Sequence, residues 1–443
     1  MTRRLPWMVL LALTVGLALH NLAMALLWDA GLRGSALDVA AAWKDVLLLA
    51  ALTAAVWSAR RIPLDHWADR LALAYGGIVV LYWLLPQDAL GGDATARGEL
   101  YALRHHLLPV GAYFLGRLLV LSSPQWRRVG LVLTGLAVGL AIWTIVDVYS
   151  VPLAWWRDSG VPGWFGEQLG LTYRCLSGLP ENWIFNTGDE TNPLRRGVST
   201  FLSPLATGYV LVVSLLFLAA RRPTRWTVAA GTVAYGGLLW THTRAAFAAL
   251  ALGLVVLAAA QRRWTPAVLA AASVVASSLF LLVYPTIGPS TSYTAQELVC
   301  LRALAAAEGD TGGAFSGGEA STESHLRNLR DGIEVVLRHP WGYGLGNAGV
   351  TAKRTGVEIK AGESTYPELG VDTGLAGALL LVGWLGALVT GLWRRSPWLA
   401  ASLVTIAAVG LQTDVIGVHW LAVVLFALAG AALSRPPAAT LEK

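Results

Sequence analysis

The sequence predicts an all-α, polytopic integral membrane protein with about twelve transmembrane helices and two long extracytoplasmic loops. Three observations lead there. Hydrophobic residues make up 55% of the chain and charged residues only 14%. Apolar runs of roughly twenty residues, the length that crosses a hydrocarbon core, recur from end to end. Arginine pairs mark alternate connections between those runs, as the positive-inside rule requires of cytoplasmic loops. A soluble multi-domain protein would have to hide as many all-round apolar helices inside its cores, which excludes that class. The 20 tryptophans fit a membrane too, because indoles collect at its interfaces.

The spans follow in order. Residues 1–149 hold five, near 5–27, 37–57, 71–85, 104–121 and 129–149. Residues 201–284 hold four, near 201–219, 226–240, 245–260 and 266–284. Residues 373–443 hold three, near 374–393, 398–413 and 417–433. Arg3-Arg4, Arg60-Arg61, Arg127-Arg128, Arg221-Arg222 with Arg225, Arg262-Arg263, Arg394-Arg395 and Arg435 then share one side. That side is the cytoplasm, so both termini are expected inside and the long loops outside. The net charge of +6 is thus a topology signal, not a nucleic-acid footprint. The first apolar run is too long for a signal peptide and no small-residue cleavage site follows it, so it is expected to stay.

The connections at 150–200 and 285–372 are too long to be idle. In the first, WWRDSGVPGWFGEQLG reads as an interfacial helix or turn on the headgroups. In the second, 293–308 reads as a helix and 309–318 as a flexible linker. Residues 323–339 place Leu326, Leu329, Ile333, Val336 and Leu337 near a 3.6-residue period, an amphipathic helix that Pro340 stops. The glycines of WGYGLG then permit a tight turn. ESTYPELGVDTGLAG, 363–377, carries acidic and hydroxyl groups straight into an apolar span, and Asp372 there reads as a charge complementing a helix N-terminus. Cys175 and Cys300 fall one in each loop. An oxidising compartment favours a disulfide tying the loops over one site; two independent thiols are the alternative.

Several charges sit where they are costly. Lys44 and Asp45 project about 100° apart within the second span, so each seeks its own partner. Arg104, His105 and His106 open the fourth span; the histidines are expected to meet water or headgroups, while Arg104 can point into an outer cavity. THTR, 241–244, is a tight hairpin that puts Arg244 at the bundle rim, drawing an anion or snorkelling to a lipid phosphate. With Arg195, Arg196, Arg327 and Arg330 it makes a set of outer arginines suited to a diphosphate, because guanidinium forks donate paired bonds to phosphate oxygens. Histidines are scattered and the cysteines far apart, so no metal site is expected.

These motifs resemble the O-antigen ligase and polymerase superfamily. ESTYPELGVDTGLAG is similar to its His-Asn-x-Tyr element followed by Glu-x-Gly-Leu-x-Gly. Tyr366, Gly374, Leu375 and Gly377 match, whereas Glu363 stands at the histidine, Ser364 at the asparagine and Asp372 at the glutamate. HLRNLRDGIEVVLRHPWGYGLGNAG resembles the family's Arg-bearing helix and Pro-x-x-Gly-x-Gly, carrying over Arg327, Gly344 and Gly346. RRGVSTFLSPLATGYVL, THTRAAF and RHHLLPVGAYFLGR resemble further elements and bring in Arg196, Pro204, Arg244 and Arg104. The likeness covers roughly 104–377. It implies a GT-C type membrane glycosyltransferase that takes a glycan from a polyprenyl-diphosphate-linked donor to a glycan or lipid-linked acceptor, at the outer face of the cytoplasmic membrane. No cofactor, metal or nucleotide sugar is implied.

The residue types suit that chemistry. A lipid diphosphate leaves only if its growing charge is neutralised, the role for Arg244, Arg327, Arg196, Arg104 and Arg330. The acceptor hydroxyl needs a base, the role for Glu363, with Tyr366 beside it as a substrate contact. A carboxylate in the histidine's place favours a cell-surface polysaccharide polymerase over an O-antigen-type ligase. Asp147, Asp414 and His419, near the outer helix ends, also read as a proton path, which makes a lipid-linked glycan transporter or flippase the alternative outside the enzyme class. Such carriers more often show two similar halves, and none is visible in this chain.

Overall fold

The computed structural model describes residues 5–185, 191–308 and 320–434. Arg3, Arg4 and Arg435 of the charge pattern, and the linker expected at 309–318, lie outside the described residues.

Each expected span coincides with a helix. The N-terminal block comprises α1 (Leu5–Asp29), α2 (Gly34–Ala41), α3 (Trp43–Ala59), α4 (Trp67–Leu84), the single turn α5 (Gln87–Leu90), α6 (Ala96–Leu118) and α7 (Ser123–Ser150). The first loop holds α8 (Leu153–Asp158), α9 (Val161–Gly163) running on into a π-helical turn, and a two-stranded antiparallel ribbon of β1 (Ile184–Phe185) and β2 (Leu194–Arg195). The middle block is α10 (Pro204–Ala219), α11 (Arg225–Trp240), α12 (Arg244–Gln261) and α13 (Trp264–Ile287). The second loop holds α14 (Ala295–Glu308), α15 (Ala320–Arg338) and α16 (Gly349–Thr355). Finally come α17 (Thr365–Leu392), α18 (Pro397–Val409) and a π-turn that continues as α19 (Phe426–Leu433). Among the described residues 6 of these segments are long and apolar enough to cross a membrane by themselves. The shorter α10 is buried along almost its whole length, so protein rather than lipid satisfies its flanks.

Small residues set the closest packing. A Cβ on Gly116 of α6 would strike the Ala427 carbonyl of α19, and one on Gly430 would strike the Tyr113 carbonyl, so both positions need glycine for the helices to touch. Near that contact Arg117 grips the fully buried Asp69 through Nε and Nη2, at 2.6 and 2.9 Å, and the Tyr113 hydroxyl donates to the same carboxylate. A buried ion pair is tolerable only when its hydrogen bonds are made in this way.

The first loop corrects one expectation. Trp156 and Trp164 do not lie on headgroups; both are buried and, with Trp28 and Trp183, form a small core above the bundle. The loop is long enough to bury its own apolar groups, and an indole gains more from a packed interior than from an interface. A disulfide joins Cys175 to Cys300 of α14. Arg157 adds a buried bridge to Glu297 of the same helix, 2.6 Å from Nη2 to Oε2. The second loop is thereby strapped to the first.

In α15 the apolar set divides. Val336 packs onto Gly370 of α17 and Gly332 onto Pro367, whereas Leu326, Ile333 and Leu337 are exposed. The face that docks is narrower than the periodicity indicated, because His325 and Asn328 occupy part of it. After Pro340 the WGYGLG turn uses positive φ at Gly342, Gly344 and Gly346. Tyr82 of α4 donates to the Trp341 carbonyl at 2.5 Å and fixes the turn to the bundle. Opposite it α17 breaks at Thr373 and Gly374. Asp372 therefore closes the first part of α17 and stands just before the second, the apolar span that the sequence indicates.

Candidate functional site

A cavity of about 790 Å³ opens where the loops meet the bundle, and two of its walls carry residues that the sequence singles out. One wall descends from the hairpin between α11 and α12. Arg196, just past β2, donates from Nε to the Thr241 carbonyl and from Nη2 to the Thr243 hydroxyl, both at 3.1 Å. Its guanidinium is thus held beside Arg244, and both side chains line the cavity. Arg104 lines it from α6 and is bonded to Asp45 at 2.9 Å. Lys44 turns the other way, to His20 at 2.9 Å and the Ala41 carbonyl, so the adjacent pair does find separate partners.

The opposite wall carries Glu363. Its Oε2 receives Asn328 Nδ2 at 2.8 Å and faces His325 Nδ1 at 2.9 Å, which leaves Oε1 unbonded among the described residues. The His325 hydrogen bond holds the carboxyl below its usual range; burial works against this, and Asn328 and Lys353 add to it. Glu363 also has φ +67, a left-handed conformation that costs a side-chain-bearing residue energy and persists only where its surroundings enforce it. Here they do: Ser364 Oγ and the Thr365 amide both donate to the Gly410 carbonyl, at 3.0 and 2.9 Å.

The floor was not anticipated. His105 and His106 are not at the headgroups: both line the cavity, His105 partly buried with Nε2 3.4 Å from Asp414 and His106 buried with Nε2 3.0 Å from Asp372. The reason is Asp372, whose other oxygen accepts the Gly346 and Asn347 amides at 3.1 and 3.3 Å and draws the WGYGLG turn over the end of α6. Glu368 is buried there as well. Of the residues read as a proton path, Asp414 and His419 line the cavity, whereas Asp147 lies outside the lining and is tied to Arg195 at 3.1 Å and to the Trp156 indole at 2.8 Å. Arg195 itself, 2% exposed, serves that pair instead of an anion.

Other expected residues fall outside the lining. Arg327 and Arg330 are exposed on α15. At about 100° per residue, Arg327 points some 200° around the helix from His325, so a face that offers His325 and Asn328 to Glu363 turns these arginines away. Tyr366 donates to the Ala407 carbonyl at 2.6 Å and joins the start of α17 to α18. His325 and Asn328 went unread as site residues, although their i, i+3 spacing puts them on one helix face.

Residues 229–382 match the family model described as O-antigen ligase. The match runs from within α11 to within α17 and so takes in the hairpin, the second loop and Glu363, while Arg104 and Arg196 lie before it. No curated protein sequence matches the chain.

Proposed function

We propose, on the premise that the chain carries the O-antigen ligase domain at residues 229–382 and is a member of that family, that this membrane protein transfers or polymerises glycan from a polyprenyl-diphosphate-linked donor. The observation that carries the reading is one cavity lined by Glu363 on one side and by Arg196 and Arg244 on the other. In the reaction an acceptor sugar hydroxyl gives its proton to Glu363 while its oxygen bonds the anomeric carbon of the donor sugar. The bond from that carbon to the phosphate oxygen breaks, and the electron pair leaves with polyprenyl diphosphate. Arg196 and Arg244, with Arg104 behind them, meet the charge that develops on the leaving group, where a water-poor rim strengthens their effect. Glu363, held low by His325, stays ionised and ready to accept a proton.

Arginine pairs at Arg60-Arg61, Arg127-Arg128, Arg221-Arg222, Arg262-Arg263 and Arg394-Arg395 fall in the connections opposite the cavity, which supports an extracytoplasmic site and cytoplasmic termini. A carboxylate as base supports a cell-surface polysaccharide polymerase. The second reading, a ligase to a lipid or protein acceptor, draws on His325, which returns an imidazole to the base. Purified protein in lipid, given a polyprenyl-diphosphate oligosaccharide with and without a lipid acceptor, separates the two by gel and mass spectrometry. Longer lipid-linked glycans from donor alone mean polymerase, and acceptor-dependent transfer means ligase. No product, with intact lipid carried across the bilayer, would replace the enzyme by a transporter.

A further inference from the structure

The cavity has a third wall that the proposed reaction leaves idle. It is made by α16 of the second loop, by Leu169 and Leu171 of the first, and by the start of α6, and Tyr101, Lys353 and Arg354 all line the cavity there. Arg354 is fixed in two ways. Its Nε donates to the Leu169 carbonyl at 2.9 Å, and its guanidinium carbon lies 4.4 Å from the centre of the Tyr101 ring. The backbone is placed as closely, since a Cβ on Gly170 would come within 2.8 Å of the Arg354 carbonyl oxygen. Arg97 takes the same ring at 5.2 Å and donates from Nε to the Tyr101 hydroxyl at 2.7 Å. Lys353 Nζ lies 5.3 Å from the Tyr173 ring. A ring face attracts a cation but does not neutralise it. Among the described residues none of these three cations is in an ion pair. Arg354 bonds through Nε alone, so both Nη groups are left to whatever enters the cavity.

Cations gathered without counter-ions call for an anion, and their place says whose. Burial presses hardest against the charge of Arg354, and Arg104 and Arg97 add to that pressure. Asp38 offsets a part, but its carboxylate accepts from Gln168 at 2.8 Å and makes no ion pair with Arg354. Lys353, next in the chain, bears on the carboxyl of Glu363. The third wall therefore stands on the side of the base, across from the hairpin that carries Arg196 and Arg244. Under Proposed function, on which this inference rests, the sugar beside Glu363 is the acceptor. We propose that Arg354, with Lys353 and Arg97, binds an anionic group on the acceptor glycan, the carboxylate of an acidic sugar or a phosphate ester. A guanidinium anchored at Nε presents a planar pair of Nη donors, the geometry that meets two oxygens of one oxyacid. The wall is built from loops and the start of α6, so it faces a glycan in the cavity rather than the bilayer.

The test is binding without catalysis, on the full chain in phosphatidylcholine nanodiscs. Two matched pairs of probes separate the sources of charge: oligogalacturonate against its neutral methyl ester, and an oligomannose 6-phosphate against its dephosphorylated form. Inorganic phosphate and undecaprenyl diphosphate complete the set, and calorimetry or native mass spectrometry gives each Kd. Wild type is expected to hold at least one acidic glycan about tenfold or more tighter than its neutral partner, the worth of one charged hydrogen-bonded contact. Arg354→Gln is expected to abolish that preference and leave the Kd for undecaprenyl diphosphate unchanged. Arg354→Lys, which keeps the charge without the fork, is expected to retain part of it. Arg244→Ala is expected to do the reverse, weakening undecaprenyl diphosphate and sparing the acidic glycan. If wild type prefers neither acidic glycan, or Arg354→Gln keeps the preference, the proposal is overturned while the donor reading stands. It is overturned too if Arg354→Gln weakens acidic and neutral glycans alike, which marks a structural role, or weakens undecaprenyl diphosphate as Arg244→Ala does, which assigns Arg354 to the donor. Inorganic phosphate binding as tightly as the acidic glycans would mean an ion site only and would also overturn it. If wild type prefers an acidic glycan yet binds no undecaprenyl diphosphate, the donor class falls and the acidic-glycan contact is upheld.

Discussion

The two working walls of the cavity are built by opposite means. The arginine wall hangs from a hairpin between membrane helices, with Thr241, His242 and Thr243 buried and Arg196 bonded to its backbone. The carboxylate wall belongs to a long loop: Glu363 is 51% exposed and is held by His325 and Asn328 from a helix that touches the bundle along one narrow face. The diphosphate recognition proposed for the arginines asks for fixed charge in a poorly hydrated place, which a bundle rim supplies. An acceptor that enters from outside asks for a base that it can reach, which a loop supplies. The difference teaches that substitutions on the two walls should part company in what they damage, chemistry on the loop side and both binding and chemistry on the hairpin side.

The largest effect is expected on the loop side. Glu363→Gln keeps the size of the side chain and the contact to Asn328 but removes the proposed base, so transfer in the reconstituted assay should fall by about 10²–10⁴. Its thermal transition should barely move, since the residue is half exposed. Unchanged turnover would hand the base to another group on the floor, with Glu368 the first to test.

Arg244→Ala should cost about 10²–10³ in turnover, as the loss of one donor to a developing anion does. Unlike Glu363→Gln it should also raise KM for the donor. Arg244→Lys should recover only part of this, because an ammonium lacks the planar fork that meets two phosphate oxygens. A variant that lost turnover with donor KM untouched would break the assignment of the hairpin to binding.

A subtler separation comes from pH. His325 is the main cause of the depressed Glu363 carboxyl, so the acid limb of kcat/KM should lie below the ordinary glutamate range in wild type. Removing the partner lets the carboxyl rise, so His325→Ala should move that limb to higher pH and leave the rate above it nearly intact. Asn328→Ala should act in the same direction by less. Substitutions at Arg196 or Arg244 should leave the limb near its wild-type position. A limb that moved downward in His325→Ala would show that His325 raises the carboxyl's affinity for protons, contrary to the geometry.

Much of this architecture is legible in the sequence, for reasons that particular residues make clear. Apolar length and arginine pairs mark the spans, and no tertiary knowledge is needed to read 129–149 as one of them. The hairpin reads equally well, because two short spans leave Arg244 nowhere to go but the rim. What stays hidden depends on distant pairings. His105 and His106 resemble interfacial histidines until Asp414 and Asp372 arrive from the far end of the chain. Arg195 and Arg196 are alike in sequence, and only the place of Asp147 sends one into a buried pair and leaves the other to the cavity. On α15 the period gives a helix but not its rotation; the dock at Gly370 decides that His325 faces Glu363 while Arg327 and Arg330 turn outward.

The smallest effects are expected from residues near the carboxylate wall that lie outside the cavity lining. Tyr366 sits three residues from Glu363, and its hydroxyl is spent on the Ala407 carbonyl of α18. Tyr366→Phe should lower stability by about 0.5–1.5 kcal/mol, the usual net worth of one such bond, and change turnover less than twofold. Arg330→Ala, on the exposed face of α15, should alter neither stability nor donor KM measurably, since exposed charges act weakly through water and salt. Thermal denaturation in nanodiscs and donor titration measure both. A tenfold loss of turnover in Tyr366→Phe with the fold intact would place its hydroxyl on the substrate and widen the carboxylate wall beyond Glu363 and the two groups that hold it. A raised donor KM in Arg330→Ala would mean that α15 rotates when donor binds, bringing its outward arginines onto the diphosphate and merging the two walls into one.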